Sequence, residues 1–176
     1  MFKIIAVVIF FISVITSYGN TSEDNSLDQK DFFATVSGGW GSVSETPHNT
    51  GVVTATLGYF LQENISAEFR YLGYFANQKE TKLDGNSYLG LVKYNYSFFN
   101  NNLKAGAGVG LGIGNVFKKN IDGAKSNYSG LIALPISIAT PSRIIKNMDF
   151  IVTYLYVRSF DKGYANFITS GISYSF

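Results

Sequence analysis

The chain has 176 residues, which is the length of a single domain. Its 14 basic and 12 acidic residues give a formal net charge of +2, and because the lysines are scattered, this charge does not indicate a nucleic-acid-binding protein. The absence of cysteine excludes disulfide bonds and a lipid-modified cysteine anchor.

The N-terminal residues have the pattern of a secretory signal peptide. Lys3 precedes an apolar run, and the small residues Ser17 and Gly19 fit the small-x-small cleavage rule. The apolar run, residues 4–15, is shorter than the roughly 20 residues that a membrane-spanning helix needs. We therefore predict an exported protein with a cleaved signal peptide over 1–19, a polar periplasmic leader over 20–30 and a β-barrel domain over 31–176.

The rest of the chain is a succession of alternating apolar and polar segments with no convincing helix. Most segments exceed the 5–6 residues usual in soluble sheets and reach the 9–11 residues of a tilted membrane-spanning strand. Lipid offers no hydrogen bonds to an open sheet edge, so the sheet must close. The sequence predicts an all-β fold, an eight-stranded antiparallel transmembrane β-barrel with up-and-down topology. The predicted strands are 31–44, 50–62, 65–77, 86–98, 103–117, 126–140, 149–160 and 164–176.

The connections between these strands alternate between two sides of the membrane. If the first strand begins in the periplasm, the turns at 62–64, 99–102 and 141–148 lie on that side. The segments 45–49, 78–85, 118–125 and 161–163 then form the outer loops. These loops are short for outer-membrane barrels, which argues against an elaborate binding surface.

Alternation along the strands separates an apolar face from a small or polar face. One side of the third strand carries Ile65, Ala67, Phe69, Tyr71, Gly73 and Phe75, and the other carries Ser66, Glu68 and Arg70. A glycine- and serine-rich polar face suits a narrow lumen, and aromatic residues near strand ends suit interfacial girdles, so we expect the apolar face to contact lipid. We expect Leu57, Val109 and Leu111 to point outward, and Trp40, Tyr59, Tyr71, Tyr94 and Tyr96 to belong to the girdles.

The stretch KAGAGVGLGIG, residues 104–114, has a glycine at every second position. It lacks the third glycine of the dinucleotide-binding pattern G-x-G-x-x-G, and a period of two is that of a β-strand. In an eight-stranded barrel the interior is just wide enough for side chains to fill it. We therefore expect these glycines to face the lumen and to make room for larger residues such as Lys93, Tyr154 and Arg158.

Four charged residues are predicted to project into the lumen: Glu68, Arg70, Lys93 and Arg158. Buried charges need partners and hydrogen bonds, so we expect them to form a polar plug that holds the barrel in register. A small ion path is the alternative, although eight strands leave no open channel.

Three stretches carry a resemblance to a known family: LGYFLQENISAEFRYLGYF, LKAGAGVGLGIG and the terminal GISYSF. They resemble the small OmpA/OmpX-type barrels that are described as porin-family or opacity-like surface proteins. The resemblance covers roughly 31–176 and implies an eight-stranded outer-membrane barrel. It also implies that Ile172, Tyr174 and the C-terminal Phe176 form the signal by which the barrel-assembly machinery recognises its clients.

Three functions stay open at this point. The first is a non-enzymatic surface protein with a plugged lumen, whose partners are outer-membrane lipid, the assembly machinery and a host or surface ligand at the loops. The second is a lipid-modifying enzyme similar to lipid A deacylases, although His48-Asn49-Thr50 departs from their His-x-Ser pair. The third is a secreted soluble barrel that binds a small ligand. The leading hypothesis includes no catalytic residue, metal or cofactor.

Overall fold

The computed structural model describes residues 32–44, 50–77, 82–99, 102–120, 123–161 and 163–176. Within them, eight antiparallel strands follow one another around a closed barrel, and the last strand pairs with the first. The strands are β1 Phe32–Val43, β2 Thr50–Gln62, β3 Ile65–Asn77, β4 Lys82–Phe98, β5 Leu103–Asn120, β6 Gly123–Pro141, β7 Met148–Ser159 and β8 Tyr164–Ser175. The predicted fold class is confirmed. Across these residues, no helix is long and apolar enough to cross a membrane.

The signal peptide and the leader lie outside the described residues, as does the loop over 45–49. Five strands begin and end within about a residue of the prediction, whereas β4, β5 and β6 are longer. The prediction of loops over 78–85 and 118–125 was therefore wrong at residues 82–85, 118–120 and 123–125, and the remaining residues of both segments lie outside the described part of the chain. Lys82 pairs with Lys119, and Lys118 with Lys125, so the backbone ladder continues through residues with no apolar alternation. We call residues 82–85, 116–120 and 123–127 the strand extension.

The barrel has two distinct ends. The turn end carries the connections at 63–64, 99–102 and 142–147, and the loop end carries the other connections and the strand extension. The longest of the three turns is organised by Ser142, whose Oγ accepts hydrogen bonds from the backbone N–H groups of Ile144 and Ile145 at 3.2 and 3.1 Å. Asn147 completes this turn with a positive φ of 68°.

Burial alternates along the strands with apolar residues outside. Val109 and Leu111 are 54% and 63% exposed, whereas Glu68 and Arg70 are each 5% exposed. A soluble barrel would show the reverse, and soluble monomers rarely expose a continuous apolar surface. The apolar exterior is typical of a barrel that spans a bilayer.

The interior has two layers. Most inward residues of the turn half are polar, whereas most of those in the loop half belong to one apolar cluster, which we call the apolar layer. Its buried members are Val52, Leu72, Tyr74, Leu89, Leu91, Leu131, Ala133, Leu155, Val157 and Phe167. The sequence prediction of a small and polar inward face therefore describes the turn half of the lumen and misses the loop half.

The alternate glycines of β5 face the lumen. A Cβ at Gly112 would meet the carbonyl oxygen of Tyr88 and, at 2.7 Å, a methyl carbon of Leu89, and one at Gly106 would lie 3.0 Å from Lys93 Cε. The glycines thus make room for side chains of the neighbouring strand β4. The sequence analysis also expected these glycines to make room for Tyr154. That prediction was wrong, because Tyr154 is exposed on the outer face of β7.

Candidate functional site

The most distinctive polar group in the barrel is a buried cluster of three charges. Arg70 Nη2 lies 2.9 Å from Glu68 Oε2, and Lys93 Nζ lies 3.1 Å from Glu68 Oε1. The three side chains are at most 6% exposed. Arg70 and Glu68 are neighbours on the inward face of β3, and Lys93 comes from β4, so alternation and register bring them together. The carboxylate of Glu68 therefore pairs with two cations. We call Glu68, Arg70 and Lys93 the charge cluster.

Hydroxyl and amide groups surround the charge cluster. Arg70 Nε donates a hydrogen bond to Thr56 Oγ1 at 3.1 Å, which satisfies a donor that the carboxylate does not reach. Ser37 and Thr54 share a hydrogen bond of 2.6 Å, and Asn95 Nδ2 donates to Ser66 Oγ at 3.0 Å. Buried polar groups are costly unless they are paired, and these contacts provide the pairing.

A second ion pair lies closer to the turn end. Lys104 Nζ is 2.8 Å from Asp149 Oδ2, and the Lys104 side chain is 41% exposed. This pair joins β5 to β7 across β6, but its exposure to solvent screens the interaction. We therefore assign it a smaller share of the stability than the buried charge cluster.

Arg158 does not join the charge cluster, and the prediction that it faces the lumen was wrong. It is exposed on β7, where the buried positions are Thr153, Leu155 and Val157. Since successive side chains of a strand point to opposite faces, Arg158 points outward. The cross-strand partners of Arg158 are Ile132 and Tyr164.

The predicted assembly-signal residues share the outer face of β8 and its end. Ile172 is 49% exposed, and Tyr174 and Phe176 stack edge-to-face with ring centroids 5.3 Å apart. Phe176 packs against the small buried residue Ala34, and its backbone N–H donates to the Phe32 carbonyl at 2.9 Å. The C-terminus therefore helps to close the barrel between β8 and β1.

Aromatic side chains occupy both rims of the outer surface. Trp40 is 63% exposed near the loop end, whereas Tyr59, Tyr94 and Tyr96 are exposed toward the turn end. Tyr71 is half-buried midway along β3 beside Tyr88, with ring centroids 5.5 Å apart, so it lies between the two rims.

The enzyme hypothesis depends on His48, which lies outside the described residues. No group of three or more metal-ligating side chains occurs among the residues that the structure does describe.

The closed eight-stranded meander, the apolar exterior and the charge cluster inside the barrel define a class. The fold is that of the small OmpA/OmpX-type outer-membrane barrels. The structure of Neisserial surface protein A (NspA) is similar with a TM-score of 0.66 and 13% identity, over 82% of this chain and 96% of that one. The N-terminal β-barrel domain of Pseudomonas aeruginosa OprF matches with a TM-score of 0.66 and 15% identity, over 84% of this chain and 98% of that domain.

A third similar structure is Ail, the attachment invasion locus protein of Yersinia pestis, with a TM-score of 0.59 and 10% identity over 83% of this chain and 97% of that one. Ail has also been solved in complex with the heparin analogue sucrose octasulfate, and that structure matches with a TM-score of 0.59. No protein-family model and no curated protein sequence matches the chain. The structural likenesses therefore establish the fold.

Proposed function

We propose that the chain is a non-enzymatic surface protein of the bacterial outer membrane whose lumen is plugged by its own side chains and whose short loops face outside the cell. The observation that carries the proposal is the set of buried side chains inside the barrel, which supports a plugged lumen. The apolar layer fills the loop half, where Leu72 and Leu89 are 1% and 0% exposed. The charge cluster fills the turn half, where each charge has a partner. Such a barrel would serve adhesion or envelope integrity rather than transport.

Conductance across a membrane tests the plugged lumen. Purified barrel in planar bilayers is expected to give no stable channel of porin size, and vesicles that contain it are expected not to swell in permeant sugars. A matched variant, Leu89→Ala with Leu155→Ala, removes two large side chains from the apolar layer and serves as the positive control for a widened lumen. Reproducible large conductance from the monomeric wild-type barrel would overturn the proposal and make diffusion the leading function.

The strand extension supports an anionic ligand at the loop end. It carries four lysines and one aspartate. Lys82 with Lys119, and Lys118 with Lys125, are partners in the backbone register, so these residues belong to one part of the barrel. A group of basic residues attracts polyanions, and Ail, which has a similar fold, has been solved with the heparin analogue sucrose octasulfate. We propose that an anionic surface polysaccharide is the adhesion ligand.

Retention on immobilised heparin tests this ligand class. Lys118→Gln with Lys125→Gln is expected to elute at lower salt than the wild type, because each lost cation weakens binding to a polyanion. The control is Arg143→Gln with Lys146→Gln, which removes two exposed cations from the turn end. Equal loss of retention in the two double variants would show attraction by overall charge and would contradict a loop-end site.

The other two hypotheses are less well supported. A soluble ligand-binding barrel needs an apolar interior throughout and a charged exterior, whereas Glu68, Arg70 and Lys93 are buried here. A lipid-modifying enzyme would need His48. Unchanged lipid A in membranes that contain the wild-type protein, compared with membranes that lack it, is the result expected for a non-enzymatic barrel.

Export and assembly complete the proposal. A signal peptide over 1–19 would carry the chain out of the cytoplasm, and Ile172, Tyr174 and Phe176 would engage the barrel-assembly machinery. Ile172 is exposed and Tyr174 and Phe176 are partly exposed along one face, which supports recognition of that strand.

A further inference from the structure

Arg158 is an unpartnered cation on the lipid-facing surface. Among residues whose side chains the structure describes, it is the one cation at an outward-facing strand position. It makes no ion pair or hydrogen bond with the described part of the chain. An arginine on the lipid face is costly at the bilayer midplane and nearly neutral close to the interface. Arg158 lies one residue before the end of β7 at the loop end. This position is close to the membrane interface, where an outward-facing arginine costs little.

Aromatic side chains around Arg158 mark this depth independently. Tyr164 is its cross-strand partner on β8, and Tyr164 stacks with Tyr156 at a centroid distance of 6.4 Å. Phe160, two residues further along the chain, lies over Gly130 of β6. Tyrosine and phenylalanine concentrate where the hydrocarbon meets the lipid headgroups. The guanidinium of Arg158 is therefore at headgroup level.

Asn166 adds a neutral donor to the same face. It pairs with Tyr156 in the β7–β8 register, next to the pair of Arg158 and Tyr164. Its Oδ1 accepts a hydrogen bond of 2.7 Å from the hydroxyl of Tyr154. Because its oxygen is engaged, the amide nitrogen is left to donate. The outward face at this rim thus combines one fixed charge with a neutral donor and tyrosine hydroxyls.

We propose that Arg158, with Asn166 and Tyr164 beside it, binds the phosphate group of a phosphorylated lipid in the outer leaflet. The planar guanidinium can form two parallel hydrogen bonds to phosphate oxygens, and such charge-assisted bonds are stronger than neutral ones. The acyl chains of that lipid would lie along the apolar strands below, where Ile132 and Ile168 face outward. A plugged surface protein does not require such a site, so this inference goes beyond the proposed function.

Native mass spectrometry of the folded barrel in detergent tests the site with diphosphoryl lipid A as the probe. Arg158→Gln is expected to weaken lipid binding about tenfold, since one charge-assisted contact to the phosphate is lost, and Arg158→Lys to weaken it less. The control is Arg143→Gln, which removes the exposed arginine of the turn end and should bind as the wild type does. Heat-modifiable migration on gels, in which the folded form runs differently before boiling, verifies that every variant is folded.

Two results would overturn the proposal. The first is equal binding of lipid A by the wild type and by folded Arg158→Gln. The second is displacement of lipid A by millimolar inorganic phosphate, which would identify a site for soluble phosphate rather than for a lipid headgroup. Retained binding in excess inorganic phosphate, together with loss in Arg158→Gln, supports the lipid site. A result that contradicts the plugged lumen or the heparin site would not change the measured binding of lipid A, so this proposal and the proposed function are tested separately.

Discussion

Lys93 and Glu68 meet inside the barrel from neighbouring strands, with Lys93 Nζ 3.1 Å from Glu68 Oε1. The two residues are not opposite each other, because Lys93 pairs with Ser66 in the register. The lysine therefore reaches diagonally, and its chain occupies space that a Cβ at Gly106 or Gly108 would fill. The glycines of β5 and the buried ion pair depend on each other.

Glu68→Gln tests the charge cluster. The change leaves Arg70 and Lys93 buried without a counter-charge, and breaking a buried pair in this way costs about 3–5 kcal/mol. Unfolding in urea of barrels refolded into vesicles measures the loss. The control is Glu63→Gln in the exposed β2–β3 turn, where the expected change is within about 0.5 kcal/mol. Equal stability of the two variants would show that Glu68 does not compensate the two cations.

Gly112→Ala tests the close approach of β4 and β5. The added methyl group would overlap the backbone oxygen of Tyr88, and a hydrogen-bonded strand cannot move away without disturbing its ladder. We expect a loss of about 1–3 kcal/mol in the same unfolding measurement. Gly90→Ala is the matched control, since Gly90 faces outward and a Cβ there has its nearest neighbour at 3.9 Å. A greater loss for Gly90→Ala would reverse the assignment of the two faces.

Leu111→Arg tests the lipid face. Leu111 is 63% exposed in the middle of β5, and arginine facing lipid near the bilayer midplane costs about 2–4 kcal/mol. The free energy of folding into vesicles is the quantity to measure, with Leu111→Phe as the apolar control. Normal folding of Leu111→Arg would contradict a lipid-facing position.

Phe176→Ala tests the C-terminus. The ring packs against Ala34 where the last strand meets the first, and in cells it is proposed to act in recognition by the assembly machinery. We expect less heat-modifiable barrel in the membrane fraction and more degraded protein. Phe99→Ala removes an equally large ring from the turn end, where Phe99 is 77% exposed, and should assemble normally. Wild-type amounts of assembled Phe176→Ala would count against the role of this residue.

The sequence by itself determined the strand count, most strand boundaries and the face assignment of β3 and β5. These features depend on local alternation, and on these strands the two faces differ in composition: Glu68 and Arg70 oppose aromatics, and the β5 glycines oppose Val109 and Leu111. A side-chain period of two then fixes which residues share a face.

Other features depended on the tertiary structure. One is which strand face points inward where both faces are largely apolar, and another is how far a strand extends where its sequence does not alternate. On β7 both faces are largely apolar, so the sequence could not tell whether the face that carries Arg158 points to the lipid or to the lumen. The pairing with β6 and β8 places it outside. The apolar layer was missed for a different reason. Leu72 shares the inward face of β3 with Glu68 and Arg70, but the sequence does not show that side chains from several strands pack there into one apolar cluster. The strand extension was missed because its sequence lacks the apolar alternation that predicts a strand, whereas the backbone register of β4, β5 and β6 continues through it.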